Sequence, residues 1–366
     1  MAVDLAERRG GAGRRPLVLV GPYPAPWGGI SVHLRSLQQL ALRSGYEVEV
    51  LDVGEGHASR DGSDGVRDAG SYGRFAAELL RVAARDAVLH VHVPGNNVKA
   101  WVVAFAASRA RPGGLLTVHS GLAPALLDGS PTARRLAWLA AAGYERVLCA
   151  NGGIAAALER CGVEPARLEV LPAFVPGAVA PADPPAAAVA ARARFSTLLA
   201  AALAPGNQYG EDVLLDALGL LGARRPDFGC LVYGPGTAEA AFGERLARRG
   251  LFGRVVPLGE IEQPASLGVM RLADAFLRPT RADGDSVSVR EALGLGVRVV
   301  ASDVGHRPPE AVLFRAGEPA DLAARIEAAL AAPPPPEGAG AGDVSERILS
   351  AWRSLGLARV RKGVQA

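Results

Sequence analysis

The chain has 366 residues, is 49 % hydrophobic and carries a formal net charge of +3. That length and apolar content suffice for two hydrophobic cores, and a near-neutral charge at this size excludes a general attraction for nucleic acid. Cys149, Cys161 and Cys230 are scattered in apolar contexts with no metal-ligand spacing, which suggests a reducing compartment.

Residues 1–15 lack an apolar core and read as a disordered tail, not a secretory signal. Pro16–Gly21 is then a buried strand, followed by the loop PYPAPWGG and a helix that ends at Gly45. Glu47–Asp52 is the next strand, and the Gly/Asp-rich stretch 54–70 reads as a loop. A helix over 72–85, strand 87–92, helix 97–110, strand 115–119, helix 131–142, strand 146–150, a helix through Arg160 and strand 168–171 complete the first half. The apolar run in 101–110 is too short for a membrane span and contains Arg109. These features predict a cytoplasmic protein, with peripheral contact at the inner face of the cell membrane left open.

The Pro/Ala-rich stretch 174–194 reads as a linker between a first domain, 16–173, and a second, 195–340. The second half repeats the rhythm: strand 196–201, helix 211–221, strand 229–234, a helix through Arg249, strand 255–259 and a short helix 266–272. Ala275-Phe-Leu277 leads into an acidic turn, a helix and the strand 297–302, and residues 341–366 hold a last helix. Short apolar strands alternating with helices argue α/β architecture with parallel sheets. Such sheets bind ligands at the carboxyl edge of their strands, where helix N-termini attract anions.

Two stretches lie at such edges. Gly28-Gly29, followed by His33, joins the first strand to the first helix, and glycine permits close backbone approach. A tight turn without a ligand explains the same pair. Later, Asp283 and Glu291 stand eight positions apart, followed by Ala292-Leu-Gly-Leu-Gly296 and the Val299-Val300 strand. Ser288-Val-Arg-Glu291 also fits a capping box, in which Glu291 only satisfies a helix-end N–H. His90 and His92 share one strand face, and His119 ends the next strand. No third ligand is identifiable for a metal at the His90/His92 pair. Asp283-Gly-Asp285 matches the metal-binding D-x-D pattern, though weakly.

The second stretch resembles the signature of the family 4 (group 1) glycosyltransferases, and the Gly28-Gly29-x3-His33 loop is similar to that family's acceptor-side loop. The resemblance implies the GT-B fold, two Rossmann-like domains whose parallel sheets face across a cleft. It implies transfer of a sugar from a nucleotide-diphosphate sugar to a glycan or lipid-linked acceptor, with retention and without metal or cofactor, in surface polysaccharide or lipid-glycan assembly. By the same resemblance Asp283 contacts the donor sugar, Glu291 holds the ribose hydroxyls, and His119 lies near the reacting centre. Gly28 and Gly29 approach the diphosphate, as do backbone groups of Gly284, Asp285, Ser286, Val287 and Ser288. Backbone around Leu258, Gly259 and Ile261 reads the base, and His33 and His92 line the acceptor side. The carboxyl-terminal helix crosses back to the first domain.

One departure stands out. The family's diphosphate-clamping Arg and Lys are missing: Tyr209 stands where the Lys is expected. Arg278 and Arg281 are the nearest replacements. The gap keeps two rivals in view, a catalytically silent nucleotide-sugar-binding protein and a sugar-nucleotide epimerase on the same architecture.

Overall fold

A computed structural model describes residues 15–54, 65–340, 342 and 344–357. The first half contains β1 (Leu17–Gly21), α1 (Gly29–Arg43), β2 (Val48–Asp52), β3 (Val66–Asp68), α2 (Tyr72–Ala83), β4 (Val88–Val93) and α3 (Val98–Ala110). It continues with β5 (Gly114–Val118), α4 (Ala123–Gly129), α5 (Pro131–Ala141), β6 (Tyr144–Cys149), α6 (Gly152–Arg160) and β7 (Leu168–Val170). The second half contains α7 (Ala186–Arg194), β8 (Thr197–Ala202), α8 (Glu211–Gly222), β9 (Phe228–Tyr233), α9 (Ala240–Arg248), β10 (Val255–Gly259) and α10 (Gln263–Leu272). It closes with β11 (Ala275–Arg278), α11 (Val287–Gly294), β12 (Arg298–Ser302), β13 (Val312–Phe314), α12 (Pro319–Ala331) and α13 (Val344–Ser354).

The strands form two parallel sheets, ordered β3-β2-β1-β4-β5-β6-β7 and β10-β9-β8-β11-β12-β13. In both, the chain winds outward on one side of the first strand and then returns to fill the other. The reversal falls between β1 and β4 in one sheet and between β8 and β11 in the other, and a doubly wound sheet opens a crevice at that point. The α/β class and the two parallel sheets expected from the strand rhythm are both present. Central strands are covered by helices on both faces: β1 is apolar and buried at every position, and β4 is buried throughout with His90 and His92 on one face. The side-chain oxygens of Ser71, Asn97 and Asn151 cap α2, α3 and α6.

Several elements differ from the sequence expectation. Of the 54–70 loop, residues 55–64 lie outside the described set, but Val66–Asp68 pairs with β2 as an edge strand. The short strand carries too few apolar residues to register as a pattern. Within 174–194, the prolines end at Pro185 and α7 follows directly. Its Ala188 and Ala191 pack with Phe195, Leu198 and Leu267 in the second core. All of the 1–15 tail except Arg15 lies outside the described residues, and Arg15 pairs with Asp86 at 2.9 Å.

Helix α13 lies in the core of the first half, where Val344, Ile348 and Trp352 pack with Leu17, Leu19 and Val88. Trp352 Nε1 donates to His90 Nδ1 at 3.1 Å. Among the described residues no helix is long and apolar enough to cross a membrane.

The two halves meet closely. A Cβ at Gly121 would sit 1.9 Å from the Asp283 carbonyl oxygen, and one at Gly284 would sit 2.0 Å from that of His119. Asn151 Nδ2 donates to the Gly284 carbonyl at 3.0 Å, and the Ala173 N–H donates to Asp285 Oδ2 at 3.1 Å. Val32, Phe174 and Val287 form a small apolar contact beside Trp27 at the same seam.

Candidate donor-binding site

A cavity between the halves is walled by Gly28, Gly29 and Val32 at the start of α1, by Ser286, Val287 and Ser288 at the start of α11, and by Arg278 and Tyr209. Tyr233, Gln263, Ser266, Ile261 and Glu291 also line it. Two helix N-termini therefore face one space. The first N–H groups of a helix have no intrahelical acceptor, and Ser286 forms no side-chain cap to α11. Its hydroxyl lies 3.1 Å from that of Ser288 instead. An anion in this cavity would meet both sets of N–H groups and the positive ends of both dipoles.

The glycines bear on the same point. Gly28 has an extended backbone (φ −141°) that any residue can adopt. A Cβ on Gly29 would meet nothing within 4 Å, and one on Gly28 would meet only Ser31 Oγ at 3.9 Å. Neither the turn nor the packing therefore requires glycine. The side on which a Cβ would project is left open, as close approach of a ligand requires.

Glu291 sits within α11, is 9 % exposed and accepts from Gln263 Nε2 at 2.6 Å. It does not cap the helix, because the helix begins after Ser286. Burial pushes its carboxyl up to about 7, and the bond from Gln263 only partly offsets this. Among the described residues, Gln263 Oε1 and Tyr233 Oη are buried with no partner in hydrogen-bond geometry. The Tyr233 hydroxyl lies beside Ser266, whose own hydroxyl donates to the Gln263 carbonyl at 2.9 Å. Sequence reasoning missed Tyr233, Gln263 and Ser266, since an apolar strand and an amphipathic helix conceal which polar groups they turn inward.

Of the residues singled out in the sequence, Gly28, Gly29, Ile261, Arg278, Ser286, Val287, Ser288 and Glu291 line this cavity. The others lie elsewhere. Arg281 is held by Asp212 on α8 at 2.7 Å, so Arg278 alone of the two candidate cations faces the space. The Gly284 N–H donates to Asp283 Oδ1 at 3.0 Å, and its carbonyl is engaged by Asn151. Asp285 is fully buried against Arg290 at 2.8 Å. The Asp283 carboxylate faces Arg278 and Arg307, each at 3.2 Å, and not the cavity. Both acids of the D-x-D pattern are thus neutralised by arginine, an arrangement that does not suit a divalent cation. Leu258 and Gly259 are set back from the cavity behind Glu260 and Ile261.

His33, His92 and His119 form one cluster with His90. His92 Nδ1 lies 3.1 Å from His119 Nε2, and the His33 ring centroid is 5.6 Å from that of His92 and 5.4 Å from that of His119. Burial pushes all four imidazoles below their usual value, His33 and His90 to about 3, and neighbouring histidines add to it for His90, His92 and His119. These rings are therefore neutral at pH 7 and offer hydrogen bonds rather than fixed charge. Asp283 differs. Burial would raise its carboxyl, but the Arg278 and Arg307 guanidiniums outweigh that and hold it below its ordinary value.

Comparison with known proteins gives the family. Residues 27–176 match the model described as Glycosyltransferase Family 4, and residues 194–332 match the one described as Glycosyl transferases group 1. The chain belongs to these glycosyltransferases. The lipopolysaccharide core biosynthesis mannosyltransferase LpsB of Rhizobium meliloti is 36 % identical over 104 residues, covering 27 % of this chain and 29 % of that protein. The aligned stretch thus spans less than a third of that relative. HepE from Anabaena, solved in complex with UDP-glucose, superposes with a TM-score of 0.65 at 17 % identity, covering 93 % of this chain and 98 % of that one. Sucrose-phosphate synthase from Thermosynechococcus elongatus gives 0.65 at 17 % identity, with 94 % and 97 % covered. At these identities the structures establish the shared GT-B fold.

Proposed function

We propose that the protein is a glycosyltransferase that takes a sugar from a nucleotide-diphosphate sugar bound in the cavity between its two halves. The observation that carries this reading is that two helix N-termini, Arg278 and Glu291 all line that one cavity. The diphosphate takes N–H groups from the starts of α1 and α11 and the Arg278 guanidinium. Glu291 accepts from the ribose hydroxyls.

Breaking the anomeric C–O bond moves negative charge onto the diphosphate as the sugar becomes oxocarbenium-like. Donors already in place stabilise that charge without reorganising. The new bond runs from an acceptor hydroxyl oxygen to the anomeric carbon, and the hydroxyl proton passes to the departing phosphate. In this reading the hydroxyl attacks from the face that the phosphate leaves, so the transfer is a retaining one; the transferred sugar is a hexose and no metal is required. His119 and His92, neutral, buried and paired with each other at 3.1 Å, do not line the cavity, so this reading gives them no contact with the donor. The acceptor is a glycan or lipid-linked glycan in surface polysaccharide assembly, and the protein works in the cytoplasm or at the inner membrane face.

Because HepE was solved with UDP-glucose, uridine nucleotides are the first donors to test. Calorimetric titration with UDP, GDP and ADP, followed by release of the nucleoside diphosphate from the matching sugar donor with glycan acceptors, tests the proposal. Binding followed by acceptor-dependent release supports it. Tight binding without turnover would turn the reading toward a silent binding protein, and isomerisation of the donor toward an epimerase.

A further inference from the structure

The family's two clamping cations are absent, yet the cavity wall contains an unbalanced positive charge whose placement is unusual. Arg278 is the last residue of β11, at the carboxyl edge of the second sheet, and its guanidinium carbon lies 5.8 Å from the centroid of the Tyr209 ring. Its Nε donates to Asp283 Oδ2 at 3.2 Å, while neither terminal nitrogen bonds any described residue. Asp283 Oδ2 also accepts from Arg307 Nη2 at 3.2 Å and from Thr280 Oγ1 at 3.3 Å. Its Oδ1 takes the Gly284 N–H at 3.0 Å.

Three of these donors crowd Oδ2 and one takes Oδ1, and the side chain is 12 % exposed and does not line the cavity, which sets it apart from a sugar hydroxyl bound there. Arg307 is almost fully enclosed, its side chain 3 % exposed, and is fixed further by Nε to the Ser302 carbonyl at 3.1 Å and Nη2 to Thr280 Oγ1 at 3.1 Å. Two guanidiniums thus share one carboxylate. A buried charge without a partner is costly, and here the uncompensated charge belongs to the arginine that faces the cavity.

We infer that Asp283 and Arg307 are positioning residues for Arg278, which replaces the missing clamp on the donor diphosphate, and that Asp283 does not hold the donor sugar. This rests on the donor-site reading above and deepens it. Tyr209, in the place of a lysine, gives the guanidinium a flat surface. Asp283 sets the angle of Arg278 through Nε and leaves its Nη fork free for phosphate oxygens. Arg307 supplies the charge that allows Asp283 to hold Arg278 without neutralising it.

The test is calorimetric titration of the full-length protein with UMP, UDP and UDP-glucose, comparing wild type with Arg278→Gln, Asp283→Asn and Arg307→Gln, and with Arg307→Lys as the conservative variant. Each fold is checked by its melting profile. Loss of one charge-assisted contact to phosphate corresponds to roughly 10- to 100-fold in affinity. Arg278→Gln is expected to weaken UDP and UDP-glucose by that factor, with UMP changed far less. Asp283→Asn and Arg307→Gln are expected to weaken UDP and UDP-glucose by one common factor of about tenfold, as mispositioning costs less than removal. Arg307→Lys should recover part of the Arg307→Gln loss.

A loss in Asp283→Asn for UDP-glucose much larger than for UDP would place Asp283 on the sugar and overturn the inference. Unchanged UDP affinity in a folded Arg307→Gln protein would also overturn it, as would equal losses for all three ligands. If Arg307→Gln does not fold, the UDP to UDP-glucose ratio in Asp283→Asn decides alone. Wild-type protein that binds no uridine or guanosine nucleotide would instead remove the donor-site reading, and this inference with it.

Discussion

Replacing Glu291 by glutamine should stabilise the protein and impair its ligand binding at once, and the two effects should separate with pH. In the folded chain burial pushes the carboxyl up to about 7, against an ordinary value of 4.5, and the hydrogen bond from Gln263 offsets this only in part. Between those values the folded state keeps a proton that the unfolded state releases, so stability is lost as pH climbs from 4.5 through 7. Above 7 the ionised carboxylate costs about 3 kcal/mol relative to an unperturbed glutamate, taken as an order of magnitude. Glutamine has nearly the same shape, keeps an acceptor for Gln263 Nε2 and cannot ionise. Glu291→Gln should therefore match wild type at pH 4.5 and exceed it by about 2–3 kcal/mol at pH 8, a shift of several degrees in the second half's melting. Thermal melts at the two pH values measure this. Nucleotide affinity at pH 8 should fall about tenfold or more, because the ribose hydroxyls lose a charged acceptor. In wild type, nucleotide affinity should rise as pH passes 7 and the carboxylate forms. A glutamine variant less stable than wild type by the same amount at both pH values would refute the argument, since it would mean the carboxylate does structural work and carries no burial penalty.

Gly29→Ala should leave melting unchanged or raise it by about 0.5–1 kcal/mol, since alanine favours a helix start over glycine and has open space there. Its UDP affinity should nevertheless drop at least tenfold, and unchanged affinity would show that no ligand approaches this backbone. Tyr233→Phe removes a buried hydroxyl that finds no partner in hydrogen-bond geometry among the described residues, so it should melt higher, by about 1 kcal/mol, and bind nucleotide more weakly; paired calorimetry and melting curves check the opposite signs. Gly284→Ala puts a Cβ 2.0 Å from the His119 carbonyl oxygen across the seam. The clash should part the two halves, seen as a larger radius of gyration in small-angle scattering, at a cost of about 1–3 kcal/mol.

The sequence was legible where physics is local. A run such as Leu17-Val-Leu-Val-Gly21 reads as a covered strand, because it lacks a polar face, is β-branched at alternate positions and is short and bounded by a Pro-rich turn. Repeated strand and helix lengths imply parallel pairing, and the two helix starts at Gly28-Gly29 and Ser286–Ser288 follow from the turn that precedes each. Edge strand β3 and helix α7 escaped, the first for want of apolar residues and the second because prolines masked it.

Chain order alone determined the fold class and which backbone edges face the gap, since both depend on periodicity and turn chemistry within a few residues. The tertiary structure decided what the side chains do there. Asp283 meets Arg307 across 24 positions and Gln263 meets Glu291 across 28, while the seam itself depends on Gly121 and Gly284 lacking a Cβ. The first two depend on how loops and helices pack within the second half, the last on how the two halves come to rest on each other, and no local pattern in the sequence encodes either packing.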